Sequence, residues 1–332
     1  METESIKKQV IVPYLEQYPD LPTLTLARLI YLENPKVFTS IERVRTSLRY
    51  YRGAQGKNHL NKLVDRRFLR DLQAPYNPFK LPESDEKEFE PFIIPEVYKK
   101  LLVFGDAHIP YHNVDSLSYM IEYALKQKVD SILLNGDIID FYGLSVFVKD
   151  PRNRHFTEEL ELVKQFLNKL KEIFSVKIFY KQGNHEERLE NYLRVKAPEL
   201  IGTKEFTLNS LLELEEKDIT LIKDKRTIKF EKLNILHGHE LKGSIIPPVN
   251  AARGVFLKTK ENTLVNHFHT DSKHSSSTLD KSYISCWAIG SMCELHPEYA
   301  PNNEWSHGFA IVERQQNNFV VSTKQVINNT IL

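Results

Sequence analysis

Cysteine, methionine and tryptophan are scarce in this chain, with two, three and two among 332 residues. Two thiols, Cys286 and Cys293, cannot build a disulfide framework and lack zinc-finger spacing, so they read as buried or idle groups in a reducing, cytoplasmic setting. Long hydrophobic runs are missing too. No stretch of about 18 uncharged apolar residues occurs, and the opening METESIKKQVIVPYLEQYPD has no apolar centre between charged and small-residue flanks. Neither a membrane helix nor a secretory leader is expected. A dominant charge sign is also absent, because 45 Lys and Arg against 44 Asp and Glu leave +1, which points to no class of partner. A composition of 41% hydrophobic and 27% charged residues excludes global disorder, collagen and coiled-coil classes.

What is present is length and histidine. At a prior of about 150 residues per domain, the chain suggests two domains or one large domain with an appendage. It can bury roughly 75% of the surface it exposes when unfolded, so a metal site here serves chemistry and not folding. The twelve histidines equal the glycines in number, and most stand in short clusters with Asp, Asn or another His.

Residues 1–70 read as a small helical domain. Ile6, Val10, Ile11, Tyr14 and Leu15 recur at helical spacing, as do Leu24, Leu26, Ala27, Ile30 and Tyr31 after Pro22-Thr23. A third helix is predicted from a Ser40 cap to Tyr51, stopped by Gly53, giving a helix-turn-helix-like unit. It carries Arg43, Arg45, Arg49 and Arg52. Over 40–70 there are nine Lys and Arg against two Asp and Glu, a local +7 suited to phosphate backbones of DNA or RNA, or equally to a solvated face. Residues 71–97 follow as a Pro-rich acidic linker, with six acids against one Lys between Glu83 and Glu96.

From 98 to 332 the pattern changes to short apolar strands alternating with amphipathic helices. KKLLVFGD reads as a strand ending at Asp106, Val114–Lys126 as a helix, SILLNGD as a strand, Thr157–Phe174 as a helix and VKIFYKQGN as a strand. Beyond about residue 218 strands dominate: DITLI, TIKFE, LNILHG, NTLVNHF, SYISCWAIG, GFAIVE and NFVVSTKQVI, interrupted by a helix near Val249–Lys258. The expected fold is α/β, a sandwich of two sheets and not a simple doubly wound sheet.

Ligand-type side chains gather at the ends of these strands, where loops of an α/β fold converge. The clusters are Gly105-Asp106-Ala107-His108, Gly136-Asp137-Ile138-Ile139-Asp140, Gly183-Asn184-His185-Glu186, His237-Gly238-His239 and His267-Phe268-His269. Carboxylate, imidazole and amide donors without thiolate suit Mn, Fe, Zn, Ni or Mg. Asp106 and His108, spaced i and i+2 at a strand end, point to one side and can share an ion; Asp137 has two oxygens and can bridge two. Two-metal hydrolases hold their ions about 3.5–4 Å apart.

In this order, GDAH, GDIID, GNHE, a later His-Gly and a final His-Phe-His resemble the calcineurin-like metallophosphoesterases over roughly residues 98–325. The resemblance implies a four-layer α/β/β/α metallophosphoesterase sandwich beside the small N-terminal helical domain. It also implies two divalent metals, manganese first among them. Asp106, His108, Asp137 and His269 would hold one, and Asp137, Asn184, His237 and His267 the other. A metal-bridging hydroxide would then attack a phosphate ester, with His185 binding phosphate and donating the proton. Two departures stand out. Asn266 occupies the glycine position before the final His-x-His, and Phe141-Tyr142 replaces the Arg-Gly that marks Ser/Thr protein phosphatases.

Asp140 is expected to orient His185. Arg188 and Arg253 are candidate phosphate contacts, while His239 reads as a neighbour of the ligands. His112, His155, His274, His296 and His307 lack motif support. The function expected is hydrolysis of phosphate esters, with nucleic acid as the substrate and no membrane partner. The alternatives are a phosphomonoesterase of small molecules or proteins, and a DNA-binding protein on a non-catalytic scaffold.

Overall fold

The computed structural model describes residues 2–18, 21–52, 81–82, 89–146, 156–241, 250–298, 300–316 and 318–332. The chain divides into two compact units, Met1–Lys87 and Glu88–Leu332.

The first unit holds α1 (Glu2–Gln17), α2 (Thr23–Glu33) and α3 (Ile41–Tyr51). Ile11 and Leu15, Leu26 and Ile30, and Val44, Leu48 and Tyr51 recur every three or four residues, so each helix turns one apolar stripe into a shared core. Ser40 caps α3, its Oγ accepting from the Arg43 N–H at 3.3 Å. Arg43 and Arg49 are exposed, and Arg45 pairs with Glu42 at 3.3 Å. Arg52 departs from the expected phosphate-facing row. Its Nη1 donates to Thr23 Oγ1 at 2.6 Å and its Nη2 to the Leu21 carbonyl at 2.7 Å, tying the end of α3 to the start of α2. Gly53 and the basic residues from Lys57 to Arg70 lie outside the described residues.

The second unit runs β1 (Phe92–Ile93), β2 (Lys100–Phe104), α4 (Val114–Gln127), β3 (Ser131–Asn135), α5 (Phe156–Ile173), β4 (Lys177–Lys181), α6 (Glu187–Lys196), α7 (Leu208–Leu211) and β5 (Ile219–Ile222). It continues through β6 (Ile228–Phe230), β7 (Leu233–Ile235), α8 (Ala251–Thr259), β8 (Thr263–Val265), β9 (Ser272–Ser277), β10 (Tyr283–Ala288), β11 (His307–Gln315), β12 (Asn318–Ile327) and β13 (Thr330–Ile331). Among the described residues one sheet has the order β13-β12-β11-β2-β3-β4-β5 and the other β1-β6-β7-β8-β10-β9. Strands β2 to β5 are mutually parallel, as are β7, β8 and β10.

Side chains of β2 alternate between two cores, as a pleat requires. Leu102 and Phe104 pack with Met120 of α4 and Val163 and Leu167 of α5. Leu101 and Val103 face the second sheet and join Phe230, Ile235, Leu264 and Trp287. Ala252 and Val255 of α8 cover the outer face of that sheet over Val265 and Cys286. Helix, sheet, sheet and helix make the four expected layers.

Three details differ from expectation. Phe92–Ile93 pairs in parallel with β6 and Ile94 is buried, so the end of the stretch read as a linker belongs to the sandwich. Strand β9, SKHSSS, was not expected, since it has no apolar alternation and is an edge held by β10. Strand β2 ends at Phe104, before Asp106. Among the described residues no helix is long and apolar enough to cross a membrane.

Candidate metal centre

Five loops meet at one place. Three follow the parallel strands β2, β3 and β4 of one sheet, and two follow β7 and β8 of the other. Their side chains form three overlapping groups whose donor atoms lie within 4.8 Å of one another: Asp106, His108 and His269; His108, Asp137 and His185; Asp137, His237 and His267. Asn184 joins the last, its Oδ1 lying 3.2 Å from His237 Nε2. Nε2 atoms of His108 and His269 are 3.2 Å apart. His237 Nε2 is 3.3 Å from Asp137 Oδ2, and its Nδ1 donates to the Asn135 carbonyl at 2.7 Å, which turns Nε2 inward.

The backbone is strained where these candidate ligands sit. Asp106, His108, Asp137, His267 and His269 have φ of 52°, 48°, 53°, 67° and 56°. Left-handed φ at a non-glycine residue costs on the order of 1–3 kcal/mol, and such strain persists where surrounding structure holds it for a purpose. The i, i+2 argument for Asp106 and His108 is therefore replaced: both stand beyond the strand and reach one point through left-handed turns. Gly136 is needed here, because a Cβ would come within 2.6 Å of His237 Nδ1 and its φ is +90°. Asn266, in the position expected for glycine, is not left-handed. Its Oδ1 instead accepts from Asn135 Nδ2 at 2.7 Å, a buried amide contact between the two sheets.

Charge in the centre calls for cations. Asp106 Oδ2 accepts the His267 N–H at 2.8 Å, whereas Oδ1 is buried with no hydrogen-bond partner among the described residues. That oxygen lies 3.6 Å from His269 Nε2 and 3.9 Å from His237 Nε2. An orphaned carboxylate oxygen amid imidazoles is a set of donors that a divalent cation completes. Burial disfavours the charged forms of Asp106 and Asp137, yet His269 and His237 hold Asp106 below the carboxylate range, and His237 and His185 do the same for Asp137. Conversely, burial is outweighed at His237 by Asp137 and at His269 by Asp106, pushing both imidazoles up to about 10. Burial and His237 push His267 down to about 4.

His185 stands beside the ligands with Asp140 behind it. Its Nδ1 is 3.1 Å from Asp140 Oδ1 and 2.9 Å from the Asp140 carbonyl, and its Nε2 is 3.8 Å from Asp137 Oδ2. Asp140 Oδ1 also lies 3.2 Å from His108 Nδ1, so one carboxylate orients two rings. Arg188 reaches the same spot, with Nη1 donating to the Asp140 carbonyl at 2.7 Å. Arg253 is not brought in: it is on the exposed side of α8, and its N–H is capped by Asn250.

Residue-by-residue reading missed several supports. Glu240 accepts the N–H of His237 at 3.2 Å and of Gly238 at 2.7 Å, and meets the buried Lys181 Nζ at 2.9 Å. Glu186, at the N-terminal end of α6, receives backbone N–H groups of the β3 loop. Cys293 Sγ lies 3.9 Å from His269 Nδ1. His239 pairs with Glu187 at 3.0 Å. The only signal available was the acid that directly follows each ligand cluster, in GNHE and HGHE.

Residues 99–288 match the family model described as calcineurin-like phosphoesterase. A Gene 54 protein of Mycobacterium phage L5 is 24% identical over 123 residues, 35% of this chain and 48% of that protein. A Gene 54 protein of Mycobacterium phage D29 is 22% identical over 130 residues, 37% and 51% of the two. The chain thus spans about half the length of the curated relatives it matches. Vacuolar Protein Sorting 29 from Cryptosporidium parvum superposes with TM-score 0.40 at 12% identity, covering 71% of this chain and 95% of that one. A dimetal phosphatase from Danio rerio gives 0.34 at 14%, covering 68% and 96%. Since the family model spans more than half of the sequence, this chain belongs to the calcineurin-like phosphoesterases.

Proposed function

We propose that this protein is a metal-dependent phosphoesterase. The observation that carries the reading is the overlap of the three donor groups, in which Asp137 joins His108 on one side and His237 and His267 on the other, so that one carboxylate stands between two sets of donors. Asp106, His108, Asp137 and His269 would hold one cation, and Asp137, Asn184, His237 and His267 the other. Manganese is the proposed occupant of this nitrogen and oxygen donor set, with Fe, Zn, Ni and Mg as the competing occupants. Two divalent cations supply Lewis acidity, neutralising phosphoryl charge and acidifying water.

The protein's own groups do the rest. His185 donates a proton to the leaving oxygen, Asp140 holds its Nδ1 and favours the charged ring, and Arg188 contacts a phosphoryl oxygen. Asp137 and Asp140 raise the His185 pKa against burial, which favours the protonated ring. For the substrate we propose a nucleic-acid phosphodiester in the cytoplasm, on the exposed Arg43 and Arg49 of α3 with Arg45 beside them.

The test is a panel of p-nitrophenyl phosphate, bis-p-nitrophenyl phosphate, and single- and double-stranded DNA, run with Mn, Ni, Zn and Mg. Mn-dependent diester cleavage is expected, with DNA affinity falling as salt rises and the slope shrinking in Arg43→Ala/Arg49→Ala. Monoester turnover alone would move the substrate to a small molecule or protein. DNA binding with no turnover of any ester would leave a non-catalytic scaffold.

A further inference from the structure

We propose that Glu186 is a positioning residue for the metal centre: its carboxylate fills a backbone nest at Asp137 and thereby fixes the side chain that faces both cation positions. This rests on the two-cation reading above and deepens it.

Gly136 and Asp137 both have positive φ, +90° and +53°. Successive N–H groups after such a turn point into one concavity, which is an anion site. Here the anion comes from the chain itself. Glu186 Oε2 accepts the Asp137 N–H at 2.9 Å, and Oε1 accepts those of Ile138 at 2.8 Å and Ile139 at 3.4 Å. The Gly183 N–H adds a bond to Oε2 at 2.8 Å and the Tyr180 hydroxyl one to Oε1 at 2.8 Å. Five donors thus meet one carboxylate that is wholly buried.

The bonding is crossed. Glu186, from the loop after β4, takes the N–H of Asp137, while Asp137 Oδ1 takes the His185 N–H at 2.8 Å. The loops after β3 and β4 are thereby locked to each other at Asp137. A glutamine keeps the shape but exchanges one acceptor oxygen for an NH₂ that faces N–H donors, so bonds to the Asp137 loop are lost along with a negative charge. Groups that orient ligands in this way alter metal affinity about 10–100-fold when removed.

The experiment is Mn binding by calorimetry, with melting curves with and without Mn, on the full chain and on Glu186→Gln. The wild type should bind two Mn per chain. Glu186→Gln should bind both at least tenfold more weakly, and the rise in Tm that Mn gives should shrink. An equal drop in Tm with and without Mn, at unchanged Kd, would overturn the positioning role while leaving the two-cation reading intact. A wild type that binds no Mn would sink both. If Glu186→Gln does not fold, Tyr180→Phe removes a single donor. A few-fold weaker Mn affinity then supports the role, and an unchanged one overturns it.

Discussion

Arg188 Nη2 lies 2.8 Å from Nε2 of His185, so the guanidinium donates to the ring nitrogen that faces Asp137. Hydrogen bonding thus assigns the imidazole proton to Nδ1, on the Asp140 side. If Arg188 turns to a phosphate, as proposed, Nε2 is left free to be protonated. On the proposed roles, binding of substrate and arming of the acid would be coupled through one side chain.

Arg188→Met tests this. Arg188 is a cation that lowers the His185 pKa, whereas burial, Asp137 and Asp140 set the rest. Its removal raises that pKa, and the alkaline limb of kcat/KM, where the acid loses its proton, moves to higher pH. KM should rise about tenfold or more, since a charged hydrogen bond to phosphate is lost. An unmoved limb and an unchanged KM would show Arg188 to be a bystander.

His185→Ala and Asp137→Asn should fail in different ways. The first keeps both metals and loses about 10²–10⁴ in kcat, most with alkyl esters whose leaving groups need the proton and least with p-nitrophenyl esters. The second loses metal at both positions. Metal content and leaving-group dependence separate them, and equal losses across leaving groups would remove His185 from the acid role.

Metal loading should release protons. His237 and His269, up near 10 without a cation, are both imidazolium at pH 8, whereas His267, down near 4, is the neutral ring. A cation replaces both protons, so loading at pH 8 releases about two per chain and affinity climbs with pH. The sign for stability is opposite. With raised folded pKa values, these two groups stabilise the metal-free protein fully below about pH 6.5, and that contribution is lost as pH rises toward 10. Calorimetry in buffers of different ionisation enthalpy reads the first effect; zero release would refute the assignment.

The Lys181–Glu240 pair is buried on both sides. Lys181→Met leaves Glu240 without its nearest cation and should cost about 3–5 kcal/mol, while adding Glu240→Gln should recover most of it. Trp287 and Trp305 both lie in the second unit, so tryptophan fluorescence in urea follows that unit alone. A cost under about 1 kcal/mol for the single change would mean that water or His239 replaces the lysine.

Strands β2, β3 and β4 were legible because parallel strands buried on both faces are continuous apolar runs, and α4 and α5 because their stripes repeat every three to four residues. Strand β9 was not, since an edge strand of serines has no face to bury and takes its register from β10. Phe92–Ile93 was hidden for another reason, as its partner β6 lies far along the chain. In the centre, residue type at strand ends was enough to gather Asp106, His108, Asp137, Asn184, His185, His237, His267 and His269. Their left-handed turns were not visible, because Asp and His do not announce positive φ as glycine does. Nor were the contacts of Glu186 and Arg52 visible: each side chain works on a backbone segment distant in sequence, which local rules do not reach.

The split of the donor loops between two sheets has a consequence for the centre's shape. Three loops hang from one sheet and two from the other, and each proposed cation position draws donors from both, so the reach of those donors across the centre depends on the filling of the interior layer, Leu133 and Phe179 on one side and Phe230 and Trp287 on the other. That layer acts as a caliper. A methylene removed from Leu133, remote from every donor group, should therefore let the two halves of each proposed position shift against each other.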